Sequence, residues 1–68
     1  MEMIPVDSSQ IAAIGHDGDI LTVRFKNGAL WQYAGVTAEA FGKLQGAESV
    51  GKFFNANIKP HHKATQIK

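Results

Sequence analysis

The first half of the chain alternates between apolar and polar residues, and this pattern predicts short antiparallel strands. Residues 11–16 form a mostly apolar run that ends at Asp17-Gly18. Residues 20–26 alternate and end at Asn27-Gly28. Because Asp-Gly and Asn-Gly dipeptides favour tight turns, each run should lead into a hairpin. The second hairpin continues into a third predicted strand over residues 29–34.

The third predicted strand carries the only tryptophan and the only tyrosine of the chain. If Leu30 shares the core face with Val23, Trp31 and Tyr33 lie on the opposite face, beside Arg24 of the neighbouring strand. An aromatic and cationic surface of this kind suits base stacking with phosphate contacts. Packing of the same surface against a helix or a second subunit is the structural alternative, and both interpretations stay open.

Two short helices are predicted after the strands. Thr37 is an N-cap candidate with an acidic residue in the following turn, and Gly46 ends that helix. A second helix is expected from about residue 50 to residue 57 and must stop at Pro60. Residues 64–67 form a possible edge strand. The predicted fold class is α+β, with a small antiparallel sheet of three or four hairpin-connected strands followed by two helices.

The length and composition of the chain bound its organisation. With 68 residues and no cysteine, it is expected to form one domain, residues 1–68, without disulfides or thiolate metal sites. A chain this small with 44% hydrophobic residues has more apolar surface than one small core can bury, so we expect a homo-oligomer, either a dimer or a tetramer. No secretory signal or long apolar run is present, which predicts a cytoplasmic protein without membrane contact.

Residues 49–59 form the segment with the greatest concentration of chemically useful side chains. Ser49 is a good N-cap, and Gly51 leaves the backbone N–H groups of the first helical turn unobstructed. Lys52 adds a positive charge where an anion would bind, and Asn55 or Asn57 could contact a base or ribose. A capped amphipathic helix without any ligand explains the same residues, and this interpretation also stays open.

The charges are distributed unevenly although the whole chain carries only +1. Residues 1–48 hold six acids and three bases, whereas residues 49–68 hold four lysines and no acid. The basic end coincides with the segment around Lys52. Either a solvated tail or an anionic partner accounts for this distribution.

Motifs for catalysis and metal binding are absent from the sequence. It has no nucleophile elbow, no His-Glu-x-x-His motif and no Walker loop. The adjacent side chains of His61 and His62 diverge, and His16 is best explained as a structural residue at a strand end. We therefore expect no enzymatic activity, no cofactor and no metal site.

The order of these features resembles the KTSC domain family. The resemblance covers roughly residues 6–60, and four segments carry it: Val6–Gly15, Leu21–Gly28, Trp31–Val36 and Ser49–Ile58. The family's Gly-Lys-Phe-Phe-Asn motif is intact at residues 51–55. Its Tyr-x-Tyr motif corresponds to Trp31-Gln32-Tyr33, which keeps an aromatic ring at the first position. The Pro-His-His-Lys segment at residues 60–63 departs from the arginine- and tyrosine-rich ends of many relatives.

The resemblance has functional implications. KTSC domains occur at the C-terminus of some lysyl-tRNA synthetases and as small stand-alone proteins of bacteria and phages, and RNA binding has been suggested for them. No catalytic activity is implied. A stand-alone member also looks like the small phage proteins that oligomerise and sequester cyclic nucleotide signals of bacterial antiviral defence, the anti-CBASS sponges. If the chain is phage-encoded, its expected location is the host cytoplasm.

These observations lead to one main hypothesis and two alternatives. The main hypothesis is that a homo-oligomer sequesters a phosphate-bearing nucleotide, such as a cyclic di- or oligonucleotide, because such a ligand needs few cations. An RNA-binding or tRNA-binding module and a structural oligomerisation module without a ligand are the alternatives. The predicted ligand-binding residues are Ser49, Gly51, Lys52, Asn55, Asn57, Trp31, Tyr33 and Arg24.

Overall fold

Five antiparallel strands form one sheet, and the helical part of the chain connects its last two strands. The computed structural model describes residues 3–68. The strands lie in the order β1-β2-β3-β4-β5, so each one pairs with its neighbour in sequence. The elements are β1 (Ile4–Pro5), β2 (Ile11–Asp17), β3 (Ile20–Phe25), β4 (Leu30–Ala34), α1 (Ala38–Gln45), α2 (Val50–Phe53), a π-helix (Phe54–Ile58) and β5 (Ala64–Gln66).

The predicted α+β class is confirmed. The three central strands, the two helical segments and the C-terminal edge strand all form where the sequence predicted them. The two-residue strand β1 was not predicted, because Ile4–Pro5 is too short for an alternating pattern. No helix within residues 3–68 is long and apolar enough to cross a membrane.

The helix ends follow the predicted capping residues. The Thr37 hydroxyl accepts a hydrogen bond from the Ala40 N–H at 3.1 Å, and Gly46 is the C-cap of α1. The Ser49 hydroxyl accepts from the Lys52 N–H at 3.4 Å at the start of α2. After Phe53 the hydrogen bonding changes from α to π, and the Lys59 N–H donates to the Phe54 carbonyl at 2.9 Å. The predicted second helix is thus one continuous segment whose latter half is wider than an α-helix.

The hydrophobic core lies between one face of the sheet and the helical segment. The buried strand residues include Ile14, Leu21 and Val23, and the helices contribute Leu44 and Phe54. A β-bulge after Ile11 allows both Ile11 and Ile14 to face this core, although they are three positions apart in the sequence and a regular strand would put them on opposite faces. No helix of residues 3–68 packs on the other face of the sheet, and we call this face the open face.

The predicted face of β4 is wrong, because the β3–β4 loop has three residues rather than two. Lys26, Asn27 and Gly28 form this loop, since the Phe25 N–H donates to the Ala29 carbonyl at 2.9 Å and closes it, and Gly28 adopts a φ of +94°. A two-residue Asn27-Gly28 turn would have placed Trp31 opposite Arg24, whereas the observed register pairs Trp31 with Val23. A register change of one residue moves every side chain to the other face. Trp31 and Tyr33 therefore lie on the core side, while Arg24 lies on the open face.

Candidate functional site

An open groove of about 460 Å³ lies on the helix side of the sheet, between β4 and the π-helix. Its volume falls within the range of about 300–1,000 Å³ that is usual for small-molecule sites. Aromatic rings, side-chain amides and one lysine form its walls. The lining residues of this main groove are Gln10, Phe25, Asn27, Ala29, Trp31, Tyr33, Phe54, Asn55, Lys59 and Ala64.

The floor of the main groove is a cluster of aromatic rings. Phe54 packs edge-to-face against Tyr33, with ring centroids 5.0 Å apart, and against Phe25 at 5.9 Å. Tyr33 is only 3% exposed, and burial raises the pKa of its phenol. Trp31 is only half-buried beside this cluster. Of the two rings predicted to stack on a base, Trp31 therefore offers the accessible surface and Tyr33 mainly supports the floor.

A smaller hollow of about 280 Å³ continues from the main groove toward the start of α2. Gln10 and Asn55 line both depressions, so the two form one continuous surface. The residues of this side hollow are Asp7, Ser8, Ser9, Gln10, Ser49, Gly51, Lys52 and Asn55. The structure thus brings Lys52 and Asn55 to the same surface as Trp31, although these residues come from distant parts of the sequence.

The start of α2 is less open than the sequence suggested. The Lys52 N–H already donates to the Ser49 hydroxyl, and the Phe53 N–H donates to the Ser49 carbonyl at 3.0 Å. A Cβ atom built on Gly51 would lie 2.9 Å from the Ser8 Oγ. The absence of a side chain at Gly51 therefore serves the close approach of the Ser8 loop. Among the described residues that line the side hollow, Lys52 is the only cation, and its side chain is exposed.

Two predicted ligand-binding residues lie outside this surface. Arg24 is on the open face of the sheet, on the other side from Trp31. The Asn57 side chain donates to the Phe53 carbonyl at 3.4 Å and lines neither the main groove nor the side hollow.

Three polar residues of the main groove were not predicted as ligand contacts. Gln10 lies at the junction of the main groove and the side hollow, and its carbonyl accepts from the Lys26 N–H at 2.9 Å. The Asn27 side chain accepts from the Ala29 N–H at 3.0 Å through its oxygen, so its amide nitrogen is available to the groove. Lys59 lines the groove from the end of the π-helix. Gln10 belongs to no local motif, whereas Asn27 lies in the Asn27-Gly28 turn and Lys59 ends the segment 49–59. Only folding of the chain brings the three side chains to one groove.

The charges around the groove favour an anionic ligand. Lys52 and Lys59 flank the continuous surface, and Lys26 lines an adjacent hollow of about 400 Å³ that shares Gln10, Phe25 and Asn27 with the main groove. Among the described residues lining the main groove there is no carboxylate, and Asp7 is the one acid in the side hollow.

The histidines make structural contacts. The His16 Nε2 lies 2.6 Å from the Val36 carbonyl, and its ring stacks on Phe41 with centroids 4.9 Å apart. The His62 Nδ1 lies 3.0 Å from the Ala34 carbonyl and links the segment before β5 to β4. Across residues 3–68, His, Asp and Glu side chains form no cluster of three that could hold a metal ion.

Comparison with known proteins supports the family suggested by the sequence. The KTSC domain profile matches residues 7–62. A protein of Tsukamurella paurometabola is 43% identical over 67 residues, which cover 96% of this chain and 100% of the relative. A protein of Stutzerimonas stutzeri is 38% identical over 64 residues, covering 91% of this chain and 90% of the relative.

A solved structure has the same fold. The crystal structure of a KTSC domain protein from Yersinia pestis superposes with a TM-score of 0.89 at 36% identity, covering 98% of this chain and 97% of that one. The profile match, the full-length relatives and the superposition agree with one another. This chain belongs to the KTSC domain family.

Proposed function

We propose that this chain binds a phosphate-bearing nucleotide in the main groove and side hollow, without chemical turnover. One observation carries the proposal: Lys52, Asn55 and the accessible Trp31 ring line one continuous surface. These groups match the three parts of a nucleotide, since a lysine can bind phosphate, an amide can pair with a base edge and an indole can stack on the base.

The roles of the individual residues follow from their positions. Lys52 contacts phosphate from the side hollow, and Lys59 contacts it from the main groove. Asn55 lies between them and contacts the base or ribose, with Gln10 opposite as a second amide. Trp31 stacks on the base, and the Phe54 cluster beneath it keeps the groove floor rigid. Ser49 and Gly51 shape the hollow, while Arg24 and Asn57 have no role in this proposal.

The small net charge favours a small ligand over a long one. Each phosphate that a protein neutralises in a polynucleotide requires a cation, and useful affinity for RNA needs several such contacts. The chain carries only +1 in total, and two or three lysines surround the groove. A cyclic di- or oligonucleotide, with few phosphates, suits this number of cations. The proposed activity is therefore sequestration of such a signal by a homo-oligomer, which is the main hypothesis drawn from the sequence.

RNA binding is the second candidate, and one observation favours it. The hollow beside Lys26 extends the main groove past Asn27, so a strand of several nucleotides could follow the surface from Lys52 to Lys26. This alternative predicts affinity that increases with oligonucleotide length and decreases steeply as salt is added. Binding of a small cyclic ligand should depend on salt only weakly in comparison.

The test is a calorimetric titration with a panel of cyclic di- and trinucleotides, ADP-ribose derivatives and short RNAs. We expect tight binding of one small ligand class, and Lys52→Ala should weaken it by about 1.5–3 kcal/mol, the scale of a hydrogen bond to a charged group. Lys43→Ala is the matched control, because Lys43 is an exposed lysine on α1 that lines no part of the groove.

Three outcomes would contradict the proposal. Equal affinity of the Lys52→Ala and Lys43→Ala variants would remove Lys52 from the site. Binding only to RNA, with affinity that grows with length, would replace the small ligand by the RNA alternative. The absence of binding across the whole panel would leave a structural module as the remaining hypothesis.

A further inference from the structure

The open face of the sheet combines several features that are unusual for a surface in contact with water. Among the described residues, Ile67 is the one large hydrophobic residue that is exposed, with 47% of its surface accessible to solvent. It lies opposite Leu30, because its N–H donates to the Leu30 carbonyl at 2.8 Å. Leu30 is paired in register with Arg24, which places Leu30 and Ile67 on the open face. Ile20, two residues before Thr22, adds a third large apolar side chain there.

Thr22 lies at the centre of the open face. It is only 4% exposed, and its hydroxyl is the only buried side-chain polar atom within residues 3–68 that has no hydrogen-bond partner. Gln32 lies directly beside it in the paired strand. A buried hydroxyl without a partner costs free energy that a covering surface with a polar group could recover.

The charges on the open face have a symmetric arrangement about Thr22. Arg24 lies two residues after Thr22 along β3, and Ile20 lies two residues before it. Asp17 is paired with Ile20 in register, so its carboxylate is on the same face at the level of Ile20. Each level is roughly 7 Å from Thr22, at about 3.4 Å per residue. The cation and the acid are therefore at nearly equal distances on opposite sides of the centre.

We propose that the open face is the interface of a homodimer, with a two-fold axis that passes near Thr22 and runs across the strands. Rotation about this axis brings Arg24 of one copy to the same height along the strands as Asp17 of the other copy. Two identical ion pairs therefore form. An axis along the strands would instead place Arg24 over Arg24, and like charges would repel. The charge pattern is thus complementary to a second copy of the same face in one orientation only.

The size of the face is compatible with a modest dimer. Five strands about 4.8 Å apart, which average roughly 15 Å in length because β1 has only 2 residues and β5 only 3, give a face of roughly 350–400 Å² in plan. The accessible surface of its side chains is larger and approaches the lower end of interfaces that bury about 600 Å² per partner. We therefore expect a dimer that dissociates on dilution.

The proposed interface has a consequence for ligand binding. The dimer is the homo-oligomer that the proposed function requires. Its interface lies on the opposite side of the sheet from Trp31 and the main groove. The two grooves of the dimer therefore face away from each other. Each copy should bind its own ligand, with a stoichiometry of one ligand per chain.

A charge-swap experiment tests the interface without any ligand. Sedimentation equilibrium should show a concentration-dependent dimer for the unaltered chain, and Arg24→Glu or Asp17→Lys should each raise the dimer dissociation constant at least about tenfold. The combined Arg24→Glu, Asp17→Lys variant should restore most of the dimer. The same swap at Glu39 and Lys43, an exposed pair 3.5 Å apart on α1, is the control and should change nothing.

Circular dichroism of each variant is the check that the variant is still folded. The proposal would be overturned if the unaltered chain were monomeric at all concentrations. It would also be overturned if the single charge swaps raised the dimer dissociation constant no more than the control swaps do, or if the double variant failed to restore the dimer. Lys52→Ala should leave the dimer unchanged. Sedimentation equilibrium therefore tests the dimer interface, and the calorimetric titration separately tests nucleotide binding.

Discussion

The close contact between Gly51 and Ser8 leads to a prediction that can be worked out from the structure. An alanine Cβ at Gly51 would lie 2.9 Å from the Ser8 Oγ, which is closer than van der Waals contact allows. Ser8 cannot move freely, because its hydroxyl accepts from the N–H groups of Gln10 and Ile11, each at 3.3 Å. The Gly51→Ala substitution should therefore displace the loop that carries Gln10 into the groove.

Two opposing effects set the magnitude of this substitution. Replacing glycine by alanine inside a helix stabilises it by up to about 1 kcal/mol. Overpacking against a neighbour costs about 1–3 kcal/mol. The net effect of Gly51→Ala should lie between about zero and 3 kcal/mol of lost stability, according to the same two ranges.

A second substitution separates the two effects. Ser8→Ala removes the clashing oxygen, at a cost of about 0.5–1.5 kcal/mol for two long hydrogen bonds. In that background Gly51→Ala should become stabilising, because only the gain in helix propensity remains. The coupling between the two substitutions should be about 1–3 kcal/mol, the size of the relieved overpacking.

Urea unfolding of the four proteins at one concentration measures this coupling. Gly42→Ala is the matched control, because a Cβ there meets nothing within 4 Å and should stabilise α1 equally in both backgrounds. If Gly51→Ala changes the free energy of unfolding by the same amount with and without the Ser8 hydroxyl, within about 0.5 kcal/mol, the proposed contact does not exist.

Two further predictions concern titration and helix capping. Tyr33 is the only tyrosine, and burial raises its pKa above 10.0, so phenolate absorbance should appear at higher pH than for free tyrosine. Because the native state holds the proton more tightly, the free energy of unfolding should be insensitive to this group below pH 10 and should fall as the pH rises further. A phenol that titrates like free tyrosine would contradict the burial of Tyr33. Thr37→Ala should lower the free energy of unfolding by about 1 kcal/mol, and Ser49→Ala by less, because the Ser49 capping bond is longer at 3.4 Å than the Thr37 bond at 3.1 Å. Urea unfolding that ranks the two variants in the opposite order would show that Ser49 has the stronger cap.

The sequence predicted those parts of the fold that depend on local interactions. Alternating residues located β2 and β3, and the caps Thr37 and Ser49 located the helix starts, because each signal acts within a few residues. The face of β4 could not be predicted in the same way. It depends on whether the β3–β4 loop has two or three residues, and Asn27-Gly28 is compatible with both.

The candidate site was predictable only in part for a related reason. Lys52 and Asn55 belong to a dense local motif, and the structure places both on the groove. Gln10 belongs to the loop before β2, and only tertiary packing against Gly51 brings it there. Asn57 lies outside both depressions, and nothing local in the sequence indicated that hydrogen bonding would change from α to π after Phe53.

The most direct test of nucleotide binding in the groove is an NMR titration of the isotope-labelled chain with the best ligand of the calorimetric panel. The side-chain amides of Gln10, Asn27 and Asn55 and the single indole N–H of Trp31 are separate reporters along the groove. We predict that these signals shift together and saturate at one ligand per chain, while the Gln32 side-chain amide on the open face stays unchanged. Shifts centred on Gln32 and Arg24, with the groove signals unaltered, would contradict the account.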